Sequence, residues 1–178
     1  SAAGNTVVYE VGGELKELDA ATGKTHTIHV NLDAQISQAM QSRPQWKDAS
    51  STITSAALSP TGKRVVVSAR GDVFTVPIKD GSVRNLTESS GIREKDGSWS
   101  PDGKQIAYLS DTGRQHHLIL RDQTGLDKPK TFSLGQPGYY TLLDWSPDNQ
   151  IIVYQDNHLQ LYAIHLSNGS ISKIDTSS

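Results

Sequence analysis

The side chains in this chain that could carry chemistry are hydroxyls, imidazoles, carboxylates and guanidinium groups; there is no cysteine. A serine hydrolase needs a nucleophilic hydroxyl, a base within hydrogen-bond reach and a group that orients the base. No Gly-x-Ser-x-Gly elbow occurs. Ser59, Ser100 and Ser146 each precede a proline instead, in Ser59-Pro60-Thr61-Gly62, Ser100-Pro101-Asp102-Gly103 and Ser146-Pro147-Asp148-Asn149. Proline presets φ at the first central position of a tight turn, and Gly or Asn tolerates the positive φ that closes it. These serines read as turn formers, and no catalytic residue is expected.

The six histidines form no ligand pattern. His116 and His117 are adjacent, so a strand would point them to opposite faces, and His26 and His29 would also diverge. His158 and His165 stand alone, and there is no His-Glu-x-x-His motif. Asp102, Asp111, Asp148 and Asp156 lack the spacing of a calcium loop. Aspartate beside a turn bonds local amides instead. Neither a metal nor another cofactor is expected. Arg70, Arg93, Arg114 and Arg121 fall near strand ends and loops, where a guanidinium can meet a peptide carboxylate. Arg70, Arg93 and Arg114, with Tyr139 and Tyr140, are the candidate channel or peptide contacts. The plainer reading is solvated loop charge and a tyrosine pair that seals two sheets.

The elements that would hold these residues are repeated. Residues 58–63 (LSPTGK), 99–104 (WSPDGK) and 145–150 (WSPDNQ) match one another, 41 and then 46 residues apart. A four-stranded propeller blade repeats at about 40–50 residues. After each turn comes a β-branched or aromatic run: RVVVS, QIAYLS and QIIVY. Glycine turns then join the third and fourth strands of each unit, with Asn168-Gly169 the strongest signal. Trp99 and Trp145, at equivalent positions, read as packing residues between blades. Residues 5–30 resemble a unit whose first strand is missing, which gives 15 predicted strands.

The fold class expected is therefore all-β, a propeller fragment of about four blades: three complete and one lacking its first strand. Residues 1–178 form one partial propeller, with blade units at 5–30, 52–87, 96–134 and 141–175. The excursion at 31–51 carries a short helix at 34–41, N-capped by Asp33, with Ile36 and Met40 four apart. Open blade faces would be covered by self-association or by the rest of a larger ring. The formal net charge of −2 provides no basic field for nucleic acid. No apolar run reaches the roughly 18–20 residues of a membrane helix.

The stretches LSPTGK, ARGDVFTVP (69–77), RNLT (84–87) and WSPDGK resemble the propeller region of tricorn-type serine peptidases. Arg43-Pro44 with Trp46-Lys47-Asp48 is similar to an inter-blade segment of that family. The resemblance runs from about Thr6 to Asp175 and is greatest to the second, seven-bladed propeller. It implies a non-catalytic module that shapes a channel for peptide entry or product exit. It implies partners among peptides and the remaining domains of a parent peptidase, and a cytoplasmic setting with the periplasm as alternative. The family's PDZ-like and catalytic parts have no counterpart here, so no catalytic residue is carried over. The Ser-Pro-Asp-Gly turn is shared by Tol-type interaction propellers and by prolyl-oligopeptidase propellers, and both stand as alternatives.

Overall fold

A computed structural model describes residues 2–11, 14–30 and 50–176. The helix expected at 34–41 and the segment at 43–48 lie outside the described residues. The chain divides into two compact units, Ser1–Lys47 and Asp48–Ser178.

The first unit is one antiparallel meander: β1 (Ala2–Ala3), β2 (Thr6–Val11), β3 (Glu14–Asp19) and β4 (Thr25–Ile28), hydrogen-bonded in that order. The dipeptide β1 occupies the place of the strand that the sequence left out, pairing Ala2 with Val7 and Ala3 with Thr6. Two alanines carry no periodicity, so nothing in the sequence marks them as strand. The β3–β4 turn is held by Asp19, whose carboxylate accepts the amides of Ala21 and Thr22 at 2.8 and 3.2 Å.

The second unit contains three more four-stranded meanders. They are β5 (Ile53–Leu58), β6 (Arg64–Ala69), β7 (Asp72–Pro77), β8 (Arg84–Asn85); β9 (Glu94–Trp99), β10 (Gln105–Ser110), β11 (His117–Asp122), β12 (Lys130–Ser133); and β13 (Tyr140–Trp145), β14 (Ile151–Asp156), β15 (Gln160–His165), β16 (Ile171–Thr176). The described fold is all-β, built from four antiparallel sheets of propeller-blade type.

The repeated turn joins the first two strands of each of these three sheets. Ser100 shows its mechanics. Its carbonyl accepts the Gly103 amide at 2.8 Å, and its hydroxyl accepts the Gln105 amide at 2.9 Å and donates to Asp102 at 2.7 Å. Pro101 lies between, and Gly103 has φ +71. Ser59 and Ser146 accept the Arg64 and Ile151 amides in the same way, at 3.1 and 2.9 Å. Pro60 and Pro147 precede Gly62 and Asn149, which take φ +66 and +59. Asp148 accepts the Ser146 hydroxyl and the Gln150 amide.

Alternation along the strands gives each sheet two apolar faces, and the faces stack. Val66 and Val73 of one sheet bury against Ile106, Tyr108, Ile119 and Trp99 of the next. On the opposite face of that second sheet, Ala107, Leu109, Leu118 and Leu120 bury against Leu142, Trp145, Ile152, Tyr154 and Ile164. Each such aliphatic side chain contributes about 1.5–3 kcal/mol when fully buried. The sheets β5–β8 and β9–β12 approach closely at Gly97, whose amide donates to the buried Ser68 hydroxyl of β6 at 3.0 Å.

Two outcomes follow. A Cβ at Gly97 would lie 2.9 Å from Val66 Cγ2 and 3.2 Å from Val73 Cγ1. Gly97→Ala should therefore lower unfolding free energy by about 1–3 kcal/mol in urea titration; unchanged stability would show that the sheets part without cost. Ser100→Ala removes a fully buried hydroxyl with two partners and should cost about 1–3 kcal/mol. Bonds from Ser100, and then from the Lys104 amide, hold the Asp102 carboxyl below its ordinary range. An NMR titration of Ser100→Ala should find the Asp102 pKa risen, and the stability that this carboxylate gives above its unfolded pKa, lost as pH falls, should shrink.

Candidate functional site

In the second unit, one end of the sheets carries the repeated turns. The other end gathers the turns β6–β7, β10–β11 and β14–β15 with the connections β8–β9 and β12–β13. The candidate contacts all fall at this second end. Arg70 and Arg93 line a single cleft of about 450 Å3 with Thr52, Thr54, Ile92 and Asp111. Arg70 sits at φ +58 in the two-residue β6–β7 turn, directly before Gly71. Its exposed guanidinium extends from the turn. Arg93 is fixed by its backbone: its amide donates to Asp111 Oδ1 at 2.7 Å, and its carbonyl accepts the Asp111 amide at 3.2 Å. Its side chain is exposed. Arg114 belongs to a single 3₁₀ turn, Thr112–Arg114, in the β10–β11 loop of the same end.

Tyr139 and Tyr140 separate in role. Tyr140 opens β13, is 5% exposed, donates its hydroxyl to the Gln136 carbonyl and meets the Tyr154 ring edge-on at 5.5 Å. Tyr154 in turn stacks on Tyr162 at 5.3 Å. Burial, first, and the neighbouring phenols push the Tyr154 hydroxyl well above its ordinary range, so this stack stays neutral. It backs a second cleft of about 460 Å3, lined by Gln136, Pro137, Tyr140, Asp156, His158 and Tyr162. Tyr139 is 50% exposed and covers a buried cation, with Lys95 Nζ 3.6 Å from its ring centroid. Lys95 also donates to the Tyr140 carbonyl and lies 3.7 Å from Asp96. The His116 ring stands edge-on to Tyr139 at 5.4 Å, with Nδ1 donating to the Gly138 carbonyl at 2.9 Å.

Lys95, Glu94 and Asp111 join this end without a strong signal in the sequence. The segment EKDGSW has no strand alternation, because its strand is bulged: Ala107 pairs with Ser98 while Leu109 pairs with Lys95. Asp96 takes φ +57 at the bulge and its carboxylate accepts the Leu142 amide at 3.2 Å. Glu94 is buried beside Ser89, whose hydroxyl donates to it at 2.8 Å. Burial raises its pKa above the ordinary range despite that bond, with Asp72 and Asp111 adding repulsion.

Among the described residues no three metal-ligating side chains come together. Ser59, Ser100 and Ser146 lie at the opposite end, with their hydroxyls engaged in the turns. Trp99 and Trp145 are 7% and 6% exposed, between sheets. The arrangement at the loop end offers cations, aromatic faces and hydrogen-bond donors to a ligand.

No protein-family model matches the chain. Over 100 residues, 54% of its length, it is 34% identical to a tricorn-like protease C-terminal subunit of Sulfurisphaera tokodaii, of which it spans 11%. Among solved structures, TolB from Acinetobacter baumannii superposes over 98% of this chain and 41% of its own, with TM-score 0.59 and 16% identity. The tricorn protease superposes over 98% of this chain and 16% of its own, with TM-score 0.57 and 17% identity. The chain thus resembles the tricorn-like proteases in sequence over half its length, and shares its propeller-type fold with both tricorn and TolB.

The Glu94 environment yields a pH dependence with a definite sign. A carboxyl whose folded pKa is raised favours the protonated fold, so its stabilising contribution is present below the unfolded pKa and lost as pH rises through the folded one. Glu94→Gln should therefore be more stable than the parent at pH 7, with the difference vanishing near pH 4, in urea unfolding at both pH values. Equal stability at pH 7 would show that Ser89 and Ser110 fully compensate the buried charge.

Proposed function

We propose that this chain is a non-catalytic propeller module of a tricorn-like serine peptidase, and that its loop end lines the path by which peptides enter or leave the catalytic part. The identity to a tricorn-like protease subunit over 100 residues carries this reading. Its support in the structure is that the exposed Arg70 and Arg93, which share one cleft, and the exposed Tyr139 all lie at the same end of the sheets. Guanidinium groups and aromatic faces hold peptides through carboxylates, carbonyls and ring contacts without reacting with them. The partners on this reading are peptides, the remainder of a parent peptidase, or a second copy that covers exposed apolar residues such as Leu143, Leu159 and Ile174.

A second reading is an interaction propeller of the TolB type with no protease, favoured by the superposition on TolB over 98% of the chain. The gene beyond Ser178 separates the two, since only the first requires a PDZ-like and catalytic region. The pure chain, incubated with unblocked fluorogenic peptides, is expected to give no turnover above background. Hydrolysis abolished by a serine-directed inhibitor would overturn the non-catalytic assignment. The same peptides are expected to shift the NMR signals of Tyr139, His116 and Arg93, and a loop end that stays silent at millimolar peptide would remove the channel reading.

A further inference from the structure

A further cleft of the second unit shares no lining residue with the two clefts described above. It opens between the outer strand of one sheet and the β11–β12 turn of the next. It encloses about 550 Å3 and is lined by Val83, Arg84, Leu86, Arg121, Gly125 and Leu126, with Asn85, Thr87, Glu88 and Thr124. Nothing in the channel reading uses it.

Both walls are rigid. On one side, Asn85 Oδ1 accepts the amides of Thr87 and Glu88 at 3.0 and 3.2 Å, and the Thr87 hydroxyl donates to Asp72 at 2.7 Å. On the other, Asp122 Oδ1 accepts the amides of Thr124, Gly125 and Leu126 at 3.1, 2.7 and 3.2 Å. The walls meet at the floor, where a Cβ on Gly125 would lie 3.1 Å from Leu86 Cδ2. A ligand would meet a groove that needs no ordering, which lowers the cost of binding.

The lining is cationic and apolar at once. Arg121 donates Nη2 to the Gly125 carbonyl at 2.7 Å, and its Nε is buried with no partner. Arg84 is exposed, and it adds repulsion to the desolvated Arg64 nearby. Glu88 is the carboxylate of the lining, yet neither arginine is ion-paired: among the described residues the ion pairs join Lys16 to Glu14, Lys95 to Asp96 and Lys104 to Asp102. Val83 and Leu126 stand 58% and 88% exposed on the rim. Beside them β8 is an outer-edge strand of two residues, whose outward backbone groups can pair with an added strand.

We infer that this groove binds an extended peptide segment in which a carboxylate neighbours an apolar side chain, the carboxylate at Arg84 and Arg121 and the apolar group on Val83 and Leu126. A free C-terminus and an Asp or Glu side chain offer the same chemistry, and the test separates them.

Three hexapeptides of one alternating apolar pattern serve as probes: one with an internal Asp and an amidated end, one with Asn in its place and a free C-terminus, and one with Asn and an amidated end. Titrated into the isotope-labelled chain, at least one of the first two should saturably shift the Arg121 Nε–Hε signal and the Val83 and Leu126 methyls, and which of them does so identifies the source of the carboxylate. The uncharged peptide should not. Arg84→Gln alters an exposed residue and should leave the unfolding midpoint unchanged while weakening the carboxylate peptide at least about tenfold. Leu126→Ser should weaken it as well. Equal binding of the uncharged peptide, no binding by any probe at millimolar concentration, or an Arg84→Gln variant of undiminished affinity each overturns the inference.

Discussion

A sheet that is apolar on both faces cannot end its packing with a single neighbour, and that constraint organises the second unit. The sheet β9–β12 carries Ile106, Tyr108 and Ile119 on one face and Ala107, Leu109, Leu118 and Leu120 on the other, and buries both. Stacking leaves little room between β9 and the middle strands of the preceding sheet, and β9 meets that demand with Gly97 against Val66 and Val73. The Glu94 amide then reaches the Gly71 carbonyl of the preceding sheet, while Asp96 and Lys95 reach Leu142 and Tyr140 of the following one. These polar links at the strand starts set the register between sheets, which apolar contact alone leaves loose because it has no direction.

The same constraint sorts the chain's polar chemistry. Once both faces are buried, the exposed polar and charged side chains collect at the two ends and along the outer edges. At the end with the repeated turns, hydroxyls and carboxylates are engaged locally, as in Ser100 with Asp102 and Ser146 with Asp148. Such a serine donates to a carboxylate that is itself held below its ordinary pKa range and accepts an amide, so its hydroxyl is committed to the turn. At the other end the β6–β7 turn and the β8–β9 and β12–β13 connections carry the exposed Arg70, Arg93 and Tyr139.

The repeat was legible because each turn is a local code. Pro60, Pro101 and Pro147 fix φ, and Gly62, Gly103 and Asn149 accept positive φ, with no help from distant residues. The apolar runs after them were legible for the same reason. Two pieces were hidden. Ala2–Ala3 is strand only because β2 pairs with it. Glu94 and Lys95 are charged residues buried on a bulged strand, and what makes their burial tolerable lies elsewhere in the sequence: Ser89 and Ser110 for the acid, Tyr139 and Tyr140 for the lysine. The blade unit expected from residue 96 therefore begins two residues after β9 does. Arg70 and Arg93 were legible as loop cations, but their convergence on one cleft depends on Asp111 clasping the Arg93 backbone across 18 residues.

The proposed binding role rests on such a distribution. A catalytic group must be both desolvated and left with an unmet proton demand near a reacting atom. Two desolvated groups, Lys95 and Tyr154, have their demands met, since Lys95 is enclosed by a carbonyl, a carboxylate and a ring, and Tyr154 donates to the Leu134 carbonyl at 3.3 Å. The groups with unmet capacity, Arg70, Arg93 and Arg84, are solvated cations that stay protonated at any physiological pH. Cations of that kind attract and orient carboxylates but neither take up nor release protons, and the proposed peptide contacts draw on that chemistry.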